Sequence, residues 1–162
     1  QLQIEIEAVT ASLTEMAQSS VEYEWLASVD GLGDATIAEL MAEIGSFSHY
    51  QDPRQLIKLA GLTLKENSSG QHKGQKRISK RGRSTLRALL FRVMMPMIRH
   101  NQAFKTLHDY YTTRPENPLR KKQSIVVLCG KLLRVLHGIA TKQRVFDEAI
   151  MMKDIPVLKV SV

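Results

Sequence analysis

The sequence predicts an all-α fold, a helical domain containing a helix-hairpin-helix and preceded by a coiled-coil arm. Three observations predict it. Apolar residues recur at steps of three and four through most of the 162 residues. Helix-start residues precede these runs and glycines follow several of them. Hydrophobic residues make up 43% of the chain and aromatics only 6%, which suits a packed core of Leu, Ile, Val, Met and Ala.

The first period is a seam. Leu2, Ile6, Val9, Leu13, Met16, Ser20 and Tyr23 alternate steps of four and three, as in a heptad repeat. Residues 1–24 therefore read as a coiled-coil arm joining two chains, or as a helix packed on its own domain. The segment 25–45 follows. A short helix should run into Val29, Gly31 and Gly33 should make a tight turn, and Asp34 should cap a second helix carrying Ile37, Leu40, Met41 and Ile44. Gly45 should end it. This pattern resembles the helix-hairpin-helix, whose Gly-hydrophobe-Gly turn exposes backbone N–H groups where a phosphate can bind. The alternative is a plain turn between two core helices.

Asp52 should cap the next helix with Pro53 at its first position. That helix carries Leu56, Ile57, Leu59 and Ala60 and stops at Gly61. Residues 62–75 show no apolar period and read as a loop, ordered alone or by substrate. After Arg83 the helical period returns with Leu86, Leu89, Leu90, Val93, Met94, Met97 and Ile98. Ser84 or Ser79 would cap this helix, and Pro96 should kink or end it. Ala103, Phe104, Leu107, Tyr110 and Tyr111 predict a further helix, and Arg114 to Pro118 a break. A last long helix is predicted from about Leu119 to Thr141. The helical domain spans 25–150, and 151–162 form a tail.

Composition excludes several classes. The single Cys129 rules out an intrachain disulfide, and its apolar neighbours predict a buried, inert thiol. No run approaches about 20 consecutive apolar residues, so no membrane span is expected. The five histidines lack metal-ligand spacing, so no metal is expected in this chain. Phosphate-loop, dinucleotide and hydrolase-elbow motifs are missing. The chain opens on Gln1 in mid-pattern, which reads as a fragment lacking an N-terminal part.

Charge points to the partner. Lys and Arg number 23 against 16 Asp and Glu, a formal net charge of +7. Ten of those cations lie between Asn67 and His108, which holds no acid, so the rest of the chain is net negative. A basic segment of this kind suits a polyanion such as nucleic acid. The expected contacts are Gly31 and Gly33 at the hairpin turn, then Lys73, Lys76, Arg77, Ser79, Lys80, Arg81, Arg83 and Arg87. Arginine forks hold phosphate oxygens bidentately and lysines add point charge. Gly70, Gly74 and Gly82 allow close backbone approach. A serine in such a field suits nucleophilic attack on a phosphodiester. A solvated basic loop with ordinary serines is the alternative.

The order of motifs resembles one family. A helix-hairpin-helix is followed by the Asp52-Pro53 helix, Ala60-Gly61-Leu62, Ser69-Gly70, Ile78-Ser79-Lys80-Arg81-Gly82 and Leu86-Arg87. Over about residues 28–150 the chain looks like the C-terminal transposase domain of the insertion-sequence-110 family, the bridge-RNA-guided recombinases. The resemblance implies that Ser69 is the recombination nucleophile, forming a phosphoserine link to DNA; Ser68 is the neighbouring candidate. It implies DNA and a guide RNA as partners, and a homodimer or higher oligomer through the arm. It places the protein in the bacterial cytoplasm, at the nucleoid. It also implies magnesium in an N-terminal RuvC-like domain that this chain lacks, so the fragment alone should bind without turnover. Leu64, Arg83 and Asp30 stand where the family often has Pro, Asn and Pro. Two other readings are a non-enzymatic helix-hairpin-helix module for DNA or RNA, and a helical assembly domain whose charge only solubilises it.

Overall fold

The computed structural model describes residues 1–65 and 76–153, and the backbone alone of 68–69 and 72–73. Eight helices lie among the described residues, with two very short antiparallel strand pairs. The all-α expectation holds. The centre of the fold is the long helix α7 (Lys121–Lys142), predicted within two residues of its ends. Leu128, Leu132, Leu133 and Leu136 on this helix are fully buried. The helix meets α2 (Tyr23–Ala27), α4 (Pro53–Leu59), α5 (Ser84–His100), α6 (Gln102–Thr113) and the 3-10 turn Phe47–His49. By length and composition alone α7 is apolar enough to cross a membrane. Half of its apolar window is buried inside this domain, as in the core helix of a globular fold.

The helix ends show where local chemistry decides. Asp52 caps α4: its carboxylate accepts from the Arg54 N–H at 2.8 Å, and the Gln55 side chain returns a bond to the Asp52 N–H. Bonds from the Arg54 side chain and backbone hold the Asp52 carboxyl down to about 2. The expected cap of α3 (Asp34–Ile44) is corrected. Gly33 is the N-cap, and Asp34 is the first helical residue, its carboxylate accepting from the Tyr23 hydroxyl. Gly45, at φ +77°, ends α3 as expected. The start of α5 is corrected as well. Arg83 is its N-cap, with no side-chain cap bond; Ser84 is the first helical residue, and the Ser79 hydroxyl is occupied elsewhere. Pro96 does not end α5, which runs on to His100. Pro96 lies on the exposed side, where the carbonyl it leaves unmatched can reach water, and fully buried Met97 anchors the turn beyond it. A short helix α8 (Glu148–Met152), capped by Asp147, closes on α6 with Met151 buried. Residues 154–162 of the expected tail lie outside the described residues.

Helix α1 (Leu2–Gln18) serves its own domain on one side only. It lies against α3, with Ala17 buried and Leu13 and Thr14 half-buried. Leu2, Ile6, Val9 and Met16 of the heptad seam are all more than half exposed. The helix stops at Gln18, so Tyr23, the last seam position, begins α2.

One buried acid ties this end of the molecule to the core. The Glu22 carboxylate accepts from the Ser46 hydroxyl and from the N–H groups of Phe47 at 2.9 Å and Ser48 at 3.1 Å. It thereby caps the 3-10 turn that seats fully buried Phe47. Burial pushes the Glu22 carboxyl up, but these bonds outweigh it and hold the group below its ordinary 4.5. A depressed carboxylate contributes stability at neutral pH that is lost as pH falls through its folded value. Glu22→Gln should therefore cost about 1–3 kcal/mol at pH 7. The gap from the parent should narrow once pH falls below 4.5. Urea unfolding at pH 7 and in the acid range measures both; an equal gap at the two pH values would contradict this account.

Candidate nucleic-acid interface

Within the segment expected to be a loop, ordered alone or by substrate, two short strand pairs form a hairpin, one pair beyond the other. Strand β1 (Leu64–Lys65) pairs with β4 (Arg77–Ile78), placing Leu64 opposite Ile78. Further out, β2 (Ser68–Ser69) pairs with β3 (His72–Lys73), placing Ser69 opposite His72. Ser69 thus occupies the last backbone pair before the two connecting residues. Its side chain, those of Ser68 and Lys73, and Gly70 and Gly74 lie outside the described residues.

The base of this hairpin is locked to the end of α4. A helix leaves its last carbonyls without intrahelical partners. Here the loop before α5 supplies them. Arg83 N–H donates to the Leu59 carbonyl at 2.7 Å, Lys80 N–H to Gly61 at 3.0 Å, and Ser79 N–H to Thr63 at 2.7 Å. The Ser79 hydroxyl donates to the Gly61 carbonyl and accepts from Arg81 N–H. Arg87 reaches across from α5, its Nη1 donating to the carbonyls of Ala60 at 3.3 Å and Lys80 at 3.4 Å. That guanidinium also meets the negative end of the α4 dipole. Two glycines make the approach possible. At Gly82, φ is +147° and an added Cβ would fall 2.4 Å from the Leu59 carbonyl oxygen. At Gly61, φ is +70° and a Cβ would fall 2.7 Å from Arg87 Nη1. The Ala-Gly-Leu and Ile-Ser-Lys-x-Gly motifs, far apart in sequence, are therefore two halves of one clasp.

The clasp sorts the expected contacts. Ser79 and Arg87 make their described bonds within the protein. Arg83 donates to the Glu43 carbonyl and lies 3.5 Å from its carboxylate. Arg77, Lys80 and Arg81 are exposed, and their side chains make no bond or ion pair among the described residues. Lys76 is exposed beside them and has a partner within the protein. Elsewhere in the acid-free segment, Arg92 is matched by Glu39. Arg99 and Lys105 on α5 and α6 are also exposed and unpaired among the described residues, so the hairpin base holds three of the segment's unpaired cations.

The turn at Gly31 and Gly33 sits apart from these cations. Gly31 has φ +96°, and a Cβ there would meet the Met97 sulfur at 2.9 Å. Buried Asn101 pins the turn: its Nδ2 donates to the Asp30 carbonyl at 2.9 Å, and its Oδ1 accepts from the Phe104 N–H to cap α6. Gly33 is open, and no side chain caps α3. Asp30 and Asp34 are exposed beside it, so the start of this helix already carries its own negative charge.

Two histidines and the cysteine have structural places. His108 Nδ1 lies 2.9 Å from the buried Ser124 hydroxyl, and His137 Nε2 lies 2.6 Å from the Tyr50 carbonyl oxygen. Burial pushes the Cys129 thiol up to about 12, so it stays protonated. Among the described residues no group of three His, Cys, Asp or Glu could hold a metal ion. Sequence reasoning missed a second run of positive charge. Residues 117–146 also contain no acid and carry seven Lys and Arg, a signal as plain as that of 67–108.

The fold and this interface define a basic helical domain that clasps and projects a serine-bearing hairpin. The chain belongs to the transposase IS116/IS110/IS902 family, whose model matches residues 23–109. It is 30% identical over 127 residues to the pilin gene-inverting protein of Moraxella bovis, covering 77% of this chain and 38% of that protein. The pilin gene-inverting protein of Moraxella lacunata matches to the same extent. The transposase for insertion sequence element IS1111A of Coxiella burnetii is 31% identical over 134 residues, 83% of this chain and 37% of its own length. The chain thus spans under two fifths of the length of these relatives.

Proposed function

We propose that this chain is the DNA-binding and recombination domain of a transposase, with Ser69 as the nucleophile for strand cleavage and exchange. One observation carries the reading: in a chain of this family, the hairpin holding Ser69 is fastened at its base by the family-like motifs and flanked there by free cations. Arg77, Lys80 and Arg81 hold the phosphate backbone, and Lys73, Lys76 and Arg83 add to the field. Ser79, Gly82 and Arg87 set the hairpin's position. The open backbone at Gly31 and Gly33 makes a secondary contact. The Ser69 oxygen forms a bond to phosphorus as the bond to a sugar oxygen breaks, and the proton lost by serine is balanced by one gained at the departing oxygen. Rejoining runs this step in reverse on a new strand end. The cations stabilise the charge of the transferring phosphoryl group.

The magnesium implied by the family resemblance finds no ligand set among the described residues, and we assign it to another domain of a longer transposase. That longer protein works in the bacterial cytoplasm with DNA and a guide RNA. It pairs through the exposed seam of α1, whose Leu2, Ile6 and Val9 otherwise remain in water.

The test is a DNA substrate carrying a leaving group that traps the covalent intermediate, incubated with the longer transposase, its guide and magnesium. Mass spectrometry should find the DNA on Ser69. An adduct on no residue, with binding intact, would make the domain a non-enzymatic binding module.

A further inference from the structure

We infer that the outer face of α7 is a second docking surface for DNA, continuing the track that begins at the hairpin. This rests on the DNA-binding reading above. Lys131, Arg134 and Lys142 fall on one side of the helix at steps of three and eight, and Arg144 follows just past its end. Arg134 and Lys142 are exposed, Lys131 and Arg144 half-buried, and none of the four makes an ion pair among the described residues. Two acids lie near them: Arg134 acts on Asp52 through its charge, and Asp147 lines a groove with all four cations. Asp52 is held by Arg54 at 2.6 Å, and Asp147 accepts from the first N–H groups of α8.

Two grooves share Lys131 and Arg134. One, of about 570 Å³, runs from the hairpin base, where Leu62, Thr63 and Leu64 line it, to α7. The other, of about 200 Å³, continues along α7 past Gly138 to Lys142 and Arg144. A polymer seated on the hairpin therefore enters the first groove and leaves by the second. From Lys131 to Lys142 is about 16 Å of helix, the axial length of roughly five base pairs.

Glycine weakens a helix interior relative to alanine. Yet a Cβ at Gly130 or Gly138 would meet nothing within 4 Å. No neighbour among the described residues requires either glycine. Each instead leaves bare backbone among the cations, so that a phosphate chain can lie close to α7.

The test uses the 162-residue chain and a 30-base-pair duplex, with affinity measured across a range of salt concentrations. The triple variant Lys131→Gln/Arg134→Gln/Lys142→Gln should stay folded by circular dichroism, since none of the three side chains is fully buried or ion-paired among the described residues. Its slope of log affinity against log salt should be shallower than the parent's by about 2–3, because each neutralised phosphate adds about 0.9 to the slope. Arg77→Gln/Arg81→Gln should make the slope shallower separately, and the two decreases should add. An unchanged slope in the triple variant overturns the α7 surface while leaving the hairpin reading intact. With an RNA duplex of the same length measured in parallel, a decrease confined to RNA, or a change only in oligomeric state, also overturns it. A parent chain with no salt-dependent DNA binding would overturn the DNA reading itself.

Discussion

Ser69→Ala in the longer transposase is expected to abolish strand exchange, by about 10³-fold or more, while DNA affinity stays nearly unchanged. Removing a nucleophile leaves no second group to form the covalent intermediate, and enzymes that lose theirs keep only what binding and charge stabilisation supply. Affinity persists because the proposed phosphate contacts come from Arg77, Lys80 and Arg81, whose exposed side chains lie at the hairpin base. Ser68→Ala is the paired measurement. Backbone register sets Ser68 opposite Lys73 and Ser69 opposite His72, so the two serines hold distinct places in the hairpin. Ser68→Ala should retain exchange. If Ser68→Ala were the inactive variant, the nucleophile would move by one residue; if both retained exchange, serine chemistry would be wrong for this domain.

The helices are legible in the sequence because their signals are local. The apolar face of α7 repeats over six turns, and Asp52-Pro53 with Gln55 spells out a capping box within four residues. The hairpin is not legible, since two-residue strands carry no alternation to count. The caps of α3 and α5 depart from expectation for a related reason. Asp34 and Ser79 have the chemistry of caps, but Tyr23 and the Gly61 carbonyl compete for them from other parts of the chain. Charge is legible only as a sum. Composition does not reveal that Arg83 and Arg92 find Glu43 and Glu39 on α3, or that Arg77 and Arg81 do not. The family resemblance identifies which motifs belong together, and the geometry of the clasp supplies a physical reason for their pairing.

The clasp gives the other large effect. Gly82→Ala is expected to destabilise the domain by about 3–5 kcal/mol, combining a left-handed backbone strained by a side chain with a close approach that cannot relax. The atoms in the way are backbone: the carbonyl oxygen of Leu59 at 2.4 Å, the nitrogen of Gly61 at 2.7 Å and the carbonyl oxygen of Lys58 at 2.9 Å. None can swing aside as a side-chain tip would. Relief requires the loop to lift from α4, which breaks the bonds from Arg83 to Leu59 and from Lys80 to Gly61. Hydrogen exchange should therefore accelerate first at Lys80 and Arg83, before the buried turns of α7. Gly138→Ala is the contrasting substitution. It also adds one methyl group, but into open space on a helix, so it should raise stability by up to about 1 kcal/mol. Thermal unfolding of the two variants beside the parent reads both signs. Equal effects would mean that the approach of Gly82 to Leu59 does not hold the hairpin base in place.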